Sequence, residues 1–185
     1  MDILPLEDGG VRFLDMPSAF YEQMTLLPET CDPDGDPIIS SRLFPHPIDD
    51  EEPESVREAA EEDWTEFVRP ELVAAFDGAL RIVMEGLASA RVLETEEDPY
   101  YQFEISREHV PGWYQVLNRA RIVLAIKYRL PLSEFPPGEG EKIPLQRLFA
   151  AHLTEHYAQI LEILAYQMSN ELSEGDPGPS FQDSP

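Results

Sequence analysis

A single cysteine, Cys31, in a chain of 185 residues rules out an internal disulfide and a cysteine-rich metal cluster. Cations are scarce too: 13 Lys and Arg stand against 37 Asp and Glu, a formal net charge of -24. That balance speaks against nucleic acid, whose affinity comes largely from neutralising phosphates, and against an anionic membrane surface. A basic protein partner fits the charge better. The opening Met1-Asp2-Ile3-Leu4-Pro5 has neither the basic region nor the apolar run of a secretory signal, so the expected compartment is the cytoplasm. Gly-rich phosphate loops, nucleophile elbows, dinucleotide fingerprints and internal repeats are all missing. Gly138-Glu139-Gly140 lacks the flanking strand and helix that such a loop needs, and no cofactor is expected.

One stretch lacks the commonest charge in the chain. Between His109 and Ser133 there is no acidic residue, and apolar side chains recur on nearly every side of a helix written from 110 to 130. Trp113, Leu117, Ala120 and Leu124 form one stripe, Val116, Val123 and Leu130 a second, Ile122 and Ile126 a third. Such a helix belongs at the centre of a helical bundle. A polar seam remains, with Asn118, Arg121 and Arg129 falling close together on the wheel.

The other elements arrange themselves around this helix. Ile3-Leu4 and Val11-Arg12-Phe13-Leu14 flank Glu7-Asp8-Gly9-Gly10, a β-hairpin signature. Tyr101 to Ile105 alternates as a strand able to extend the hairpin to a three-stranded antiparallel sheet. A short helix from Ser18 should end at Pro28, and five prolines make 29–53 a loop. Within it, Asp32-Pro33-Asp34-Gly35-Asp36 reads as a solvated turn rather than a calcium loop, because glycine and glutamate are not at the required positions.

Pro53 opens an acidic helix whose stripe Val56, Ala60, Trp64 and Phe67 is expected to be buried. Between Asp49 and Glu66 ten acidic residues accompany one base, Arg57. Pro70 either kinks that helix or starts a new one, with Leu72, Val73, Phe76, Ala79, Leu80, Val83, Met84 and Leu87 as core. A loop at 131–144 precedes a last helix with the stripe Phe149, Leu153, Tyr157, Ile160, Leu161, Leu164, Met168 and Leu172. The expected organisation is one mainly helical domain over 1–173 and a disordered acidic tail at 174–185.

Two constellations carry chemistry. His152-Leu153-Thr154-Glu155-His156 has the H-x-x-E-H spacing of an inverted zinc protease, two imidazoles one helical turn apart with a carboxylate nearby. A catalytic zinc needs a third protein ligand, and only 29 residues follow His156. A metal-dependent hydrolase is therefore the alternative reading. The seam of Asn118, Arg121 and Arg129, with Arg42, is the candidate binding surface, since arginines on a buried helix require carboxylate or carbonyl partners. Those partners are either the acidic run 49–66 or a carboxylate or peptide from outside.

Arg42-Leu43-Phe44-Pro45 before an acidic stretch, then Trp113 followed by Leu117-Asn118 and Arg121-Ile122, resembles a bacterial family of unknown function often encoded beside the adaptor of the Clp protease. The resemblance covers most of residues 3–130. It implies a cytoplasmic helical domain near regulated proteolysis, with no catalytic residues to carry over. The sequence thus leads to a non-enzymatic interaction or regulatory domain.

Overall fold

A computed structural model describes residues 1–33, 35–45, 53–95, 98–130 and 143–174. The fold is mainly helical and carries a four-stranded antiparallel sheet in the order β1-β2-β4-β3. Strands β1 (Asp2–Pro5) and β2 (Val11–Pro17) form the anticipated hairpin. Gly9 takes φ +86° at its turn, and a Cβ on Gly10 would stand 2.7 Å from the Ile105 carbonyl. That turn tolerates only glycine at both positions.

Strand β4 (Tyr100–Ile105) pairs with β2 in the register Val11–Ile105 and Phe13–Phe103. An irregularity follows Phe13, where Asp15 takes φ 50° and its carboxylate accepts from Gln102 Nε2 at 3.3 Å. The sheet has four strands rather than three, because β3 (Arg91–Leu93) adds an edge to β4. Three residues are too few for alternation to announce a strand.

The region read as loop 29–53 also differs. Helix α1 (Ser18–Thr25) ends before Pro28, which sits in the first turn of α2 (Leu27–Cys31). Helix α3 (Pro37–Leu43) follows, with Pro37 in its first turn. The Asp36 carboxylate caps it, accepting from the Ile38 and Ile39 amides at 2.8 and 3.3 Å. The prolines here begin helices rather than prevent them.

Helix α4 (Glu54–Asp63), a π turn (Trp64–Val68) and α5 (Arg69–Ala88) run without a break. Pro70 therefore neither splits nor ends the helix. It has no N–H to give, so the ladder widens ahead of it, and the Arg69 amide donates to the Trp64 carbonyl five residues back.

The buried part of α5 starts at Phe76 and continues through Ala79, Val83 and Leu87. The expected burial of Val56, Ala60, Trp64 and Phe67 is overturned. None of the four is buried, and Leu72 and Val73 are exposed as well.

Helix α6 spans Val110–Lys127, shorter than the expected 110–130, and buries Val110, Trp113, Val116, Leu117, Ala120, Val123 and Leu124. It packs against α5, α2, α3 and α7 (Leu145–Glu174). Its end is a left-handed cap: Arg129 takes φ 49°, the Leu130 amide donates to the Ala125 carbonyl, and the Arg129 amide to that of Ile126.

The inner sheet face lies on α6, where Phe13, Phe103 and Trp113 stack with centroids 4.7 to 6.1 Å apart. From α7 the core receives Leu153, Tyr157, Ile160, Leu161 and Leu164, while Phe149 is half exposed. Buried Gln167 donates to the Gly10 carbonyl at 3.2 Å, tying α7 to the hairpin turn. The expected loop 131–144 lies outside the described residues but for its last two positions. The expected tail lies outside them beyond Glu174, and so does the side chain of Leu172.

Candidate functional site

The polar seam of α6 is only partly assembled. Arg121 is half-buried and donates through Nη2 to the Asn118 carboxamide oxygen at 3.3 Å, one turn earlier on the same helix. Arg129 has left the helix for its left-handed cap, where its carbonyl accepts from Arg147 Nη2 at 3.0 Å. Arg42 is exposed in the last turn of α3, a position where its charge suits the negative helix end. Among the described residues, no hydrogen bond or ion pair joins Arg42 or Arg121 to a carboxylate.

An arginine outside that seam, Arg119, is held by several elements at once. Arg119 Cζ lies 3.7 Å from the Phe76 ring centroid and 5.3 Å from that of Phe44, while Arg69 covers Phe44 at 5.6 Å. Its Nε donates to the Cys31 carbonyl at 3.1 Å, closing the end of α2. Burial pushes the Arg119 guanidinium down, an effect offset in part by Cys31, Asp77 and Asp32. Arg119 joins α2, α3, α5 and α6 into one cluster. The only local hint was an arginine between Val116 and Val123 at helical spacing.

Cys31 lies beneath this cluster, its thiol donating to the Val116 carbonyl at 3.6 Å. Burial pushes it from the ordinary 9.0 to about 12, so the group is a thiol at neutral pH and a poor nucleophile. The folded chain holds that proton more tightly than the unfolded one. The stabilisation is therefore complete below about pH 9 and is lost as pH rises toward about 12. Tyr157 and Tyr21, also raised by burial, act in the same direction at higher pH. The urea midpoint should fall between about pH 8 and about pH 10.5, and should fall less in Cys31→Ala. Equal losses in the two proteins would mean that the thiol proton is not linked to folding.

His152, Glu155 and His156 are all exposed on α7. His156 Nδ1 donates to the His152 carbonyl at 2.8 Å, and its ring stands 5.4 Å from Phe20. No group of three His, Cys, Asp or Glu side chains among the described residues is placed to hold a metal ion. The third ligand that the hydrolase reading needs is therefore missing from the described residues.

A groove of about 520 Å³ on the outer sheet face is lined by Arg12, Leu14, Ser89, Arg91, Gln102 and Glu104. Arg12 already pairs there with Glu104 at 2.8 Å.

The arm formed by α4, the π turn and the start of α5 presents a different surface. Val56, Phe67, Val68, Leu72 and Val73 are 46, 59, 38, 41 and 38% exposed, with Trp64 half-buried between them. Val56, Ala60, Trp64, Val68, Leu72 and Phe76 recur at intervals of four. In an α-helix such a row drifts about 40° per step, and the wider π turn removes drift between Trp64 and Val68. The row is thus the core stripe of α5 carried out beyond the core.

Comparison with family models matches residues 7–141 to one described as "Domain of unknown function (DUF2017)". The chain belongs to this family. DUF2017 covers β2 and the hairpin turn, the arm, the Arg119 cluster and the whole of α6; it leaves out β1 and stops short of α7 with its histidines. No curated protein and no solved structure matches the chain. No helix among the described residues is long and apolar enough to cross a membrane.

Proposed function

We propose that this member of DUF2017 is a non-enzymatic interaction or regulatory domain of the bacterial cytoplasm. The observation that carries the reading is the exposed apolar row on the arm. A soluble monomer seldom leaves several large apolar side chains contiguous on its surface unless something docks there. The arm is held at one end by the packing of α5 on α6, a rigid base for a projecting surface. The resemblance to a family encoded beside the Clp adaptor adds a context of regulated proteolysis and makes Clp components the first partners to look for.

The test is affinity capture by the full chain from native lysate at low and moderate salt, with Phe67→Ser/Leu72→Ser run in parallel. A stoichiometric partner that the double variant loses is the expected result, and a Clp component in that position would supply the pathway. Arg121→Glu in the same assay shows whether the seam of Arg42, Asn118, Arg121 and Arg129 contributes a second contact. If no partner depends on the arm, the reading falls.

A further inference from the structure

Resting on that reading, we infer that the arm from Val56 to Val73 docks a cationic amphipathic helix of a partner protein. The surface has the shape of one helix side. Its apolar positions extend over 18 residues, about 27 Å, which a partner helix of four to five turns would cover side by side.

Carboxylates border the row. Asp63 precedes Trp64, Glu66 precedes Phe67 and Glu71 precedes Leu72, all of them exposed. Neighbours in sequence stand about 100° apart around a helix, which puts these charges at the margins of the apolar face. Glu54, Glu58, Glu61 and Glu62 extend the negative field along α4.

The arm's two cations, of which Arg69 is exposed, are outnumbered by these seven carboxylates. Arg69 lies over Phe44, and Arg57 is half-buried and already engaged within the protein. A ligand that satisfies both the row and its margins has Leu-type side chains at i, i+3, i+4 and i+7 with Lys or Arg beside them.

The same charges disfavour the other occupants. A second copy would bring these acidic margins against their equivalents, in a chain already at -24. Anionic lipid and nucleic acid are repelled in the same way.

The probe is an 18-residue peptide of Leu and Lys with Leu at helical spacing. Its two controls are a scrambled peptide of equal composition and one with Glu in place of every Lys. Trp64 reports docking, since burying its ring shifts its emission to the blue, and Trp64→Phe should abolish that shift.

The amphipathic cationic peptide should bind the full chain at least tenfold more tightly than the scrambled one. The acidic peptide should not bind. Phe67→Ser/Leu72→Ser should weaken binding at least tenfold without changing net charge. Asp63→Asn/Glu66→Gln/Glu71→Gln should weaken it as much at low salt and flatten the salt dependence. Circular dichroism checks that both variants remain folded.

Equal binding of the scrambled peptide, or unchanged binding by both variants, overturns the inference. So does a wild-type dimer in sedimentation that Phe67→Ser/Leu72→Ser dissociates, since the occupant would then be a second copy. If the peptide fails while a lysate partner still depends on Phe67 and Leu72, only the partner class is wrong. If both fail, the interaction reading goes with it.

Discussion

Trp113→Ala should lower the stability of the fold by about 3–5 kcal/mol, the cost of removing a fully buried aromatic ring whose site cannot collapse. Phe13 and Phe103 stack on one side of this ring, and on another Gly86 of α5 stands so close that a Cβ there would meet Trp113 Cζ2 at 3.0 Å. Sheet, α5 and α6 thus meet on a single side chain. A domain of this size has a total stability of about 5–15 kcal/mol, so the variant should melt about 10 °C lower or fail to fold.

A second substitution isolates the contact. Gly86→Ala in the native background sets a helix-propensity gain of about 1 kcal/mol against crowding of the ring. In the Trp113→Ala background the crowding is gone and the gain should appear in full. Urea midpoints of the four proteins measure the coupling. Additive effects would show that Gly86 is small for a reason other than Trp113.

Trp113 and its helix were legible in the sequence because a helix apolar on most sides has few places to go other than a core. The hairpin was legible for an equally local reason, the pair of glycines between alternating segments. Burial of the arm was not. Periodicity shows that Val56, Ala60, Trp64 and Phe67 share a side, but the covering surface has to come from elsewhere in the chain, and among the described residues it does not.

Helix α3 was hidden by reading Pro37 as a breaker, although Asp36 ahead of it is a standard N-cap. Strand β3 exists only because β4 offers an edge. The candidate surfaces divide along the same line. Neighbours one turn apart, Asn118 and Arg121, were predictable, whereas the rings that hold Arg119 come from 75 and 43 positions earlier, at Phe44 and Phe76.

That cluster yields the second large effect. Arg119→Ala removes a desolvated guanidinium–ring stack, worth up to about 2 kcal/mol, and a charged hydrogen bond to the Cys31 carbonyl worth about 1.5–3 kcal/mol. Part of that is returned because the cation no longer has to be desolvated, and a net loss of about 2–4 kcal/mol is expected.

Arg119→Lys tells what the residue contributes. If positive charge were the essential property, Lys would be nearly silent. The geometry argues otherwise, because the planar group lies flat enough to contact Phe76 at 3.7 Å while its Nε reaches the carbonyl, a division of labour an ammonium cannot copy. Lys should therefore lose at least half of what Ala loses. In both variants hydrogen exchange should quicken at Pro37–Leu43, because Phe44 at the end of α3 is anchored through Arg119. A silent Lys variant with unchanged exchange in α3 would reduce Arg119 to a charge near Asp32 and Asp77. The foot of the arm would then be held chiefly by α5 packing on α6.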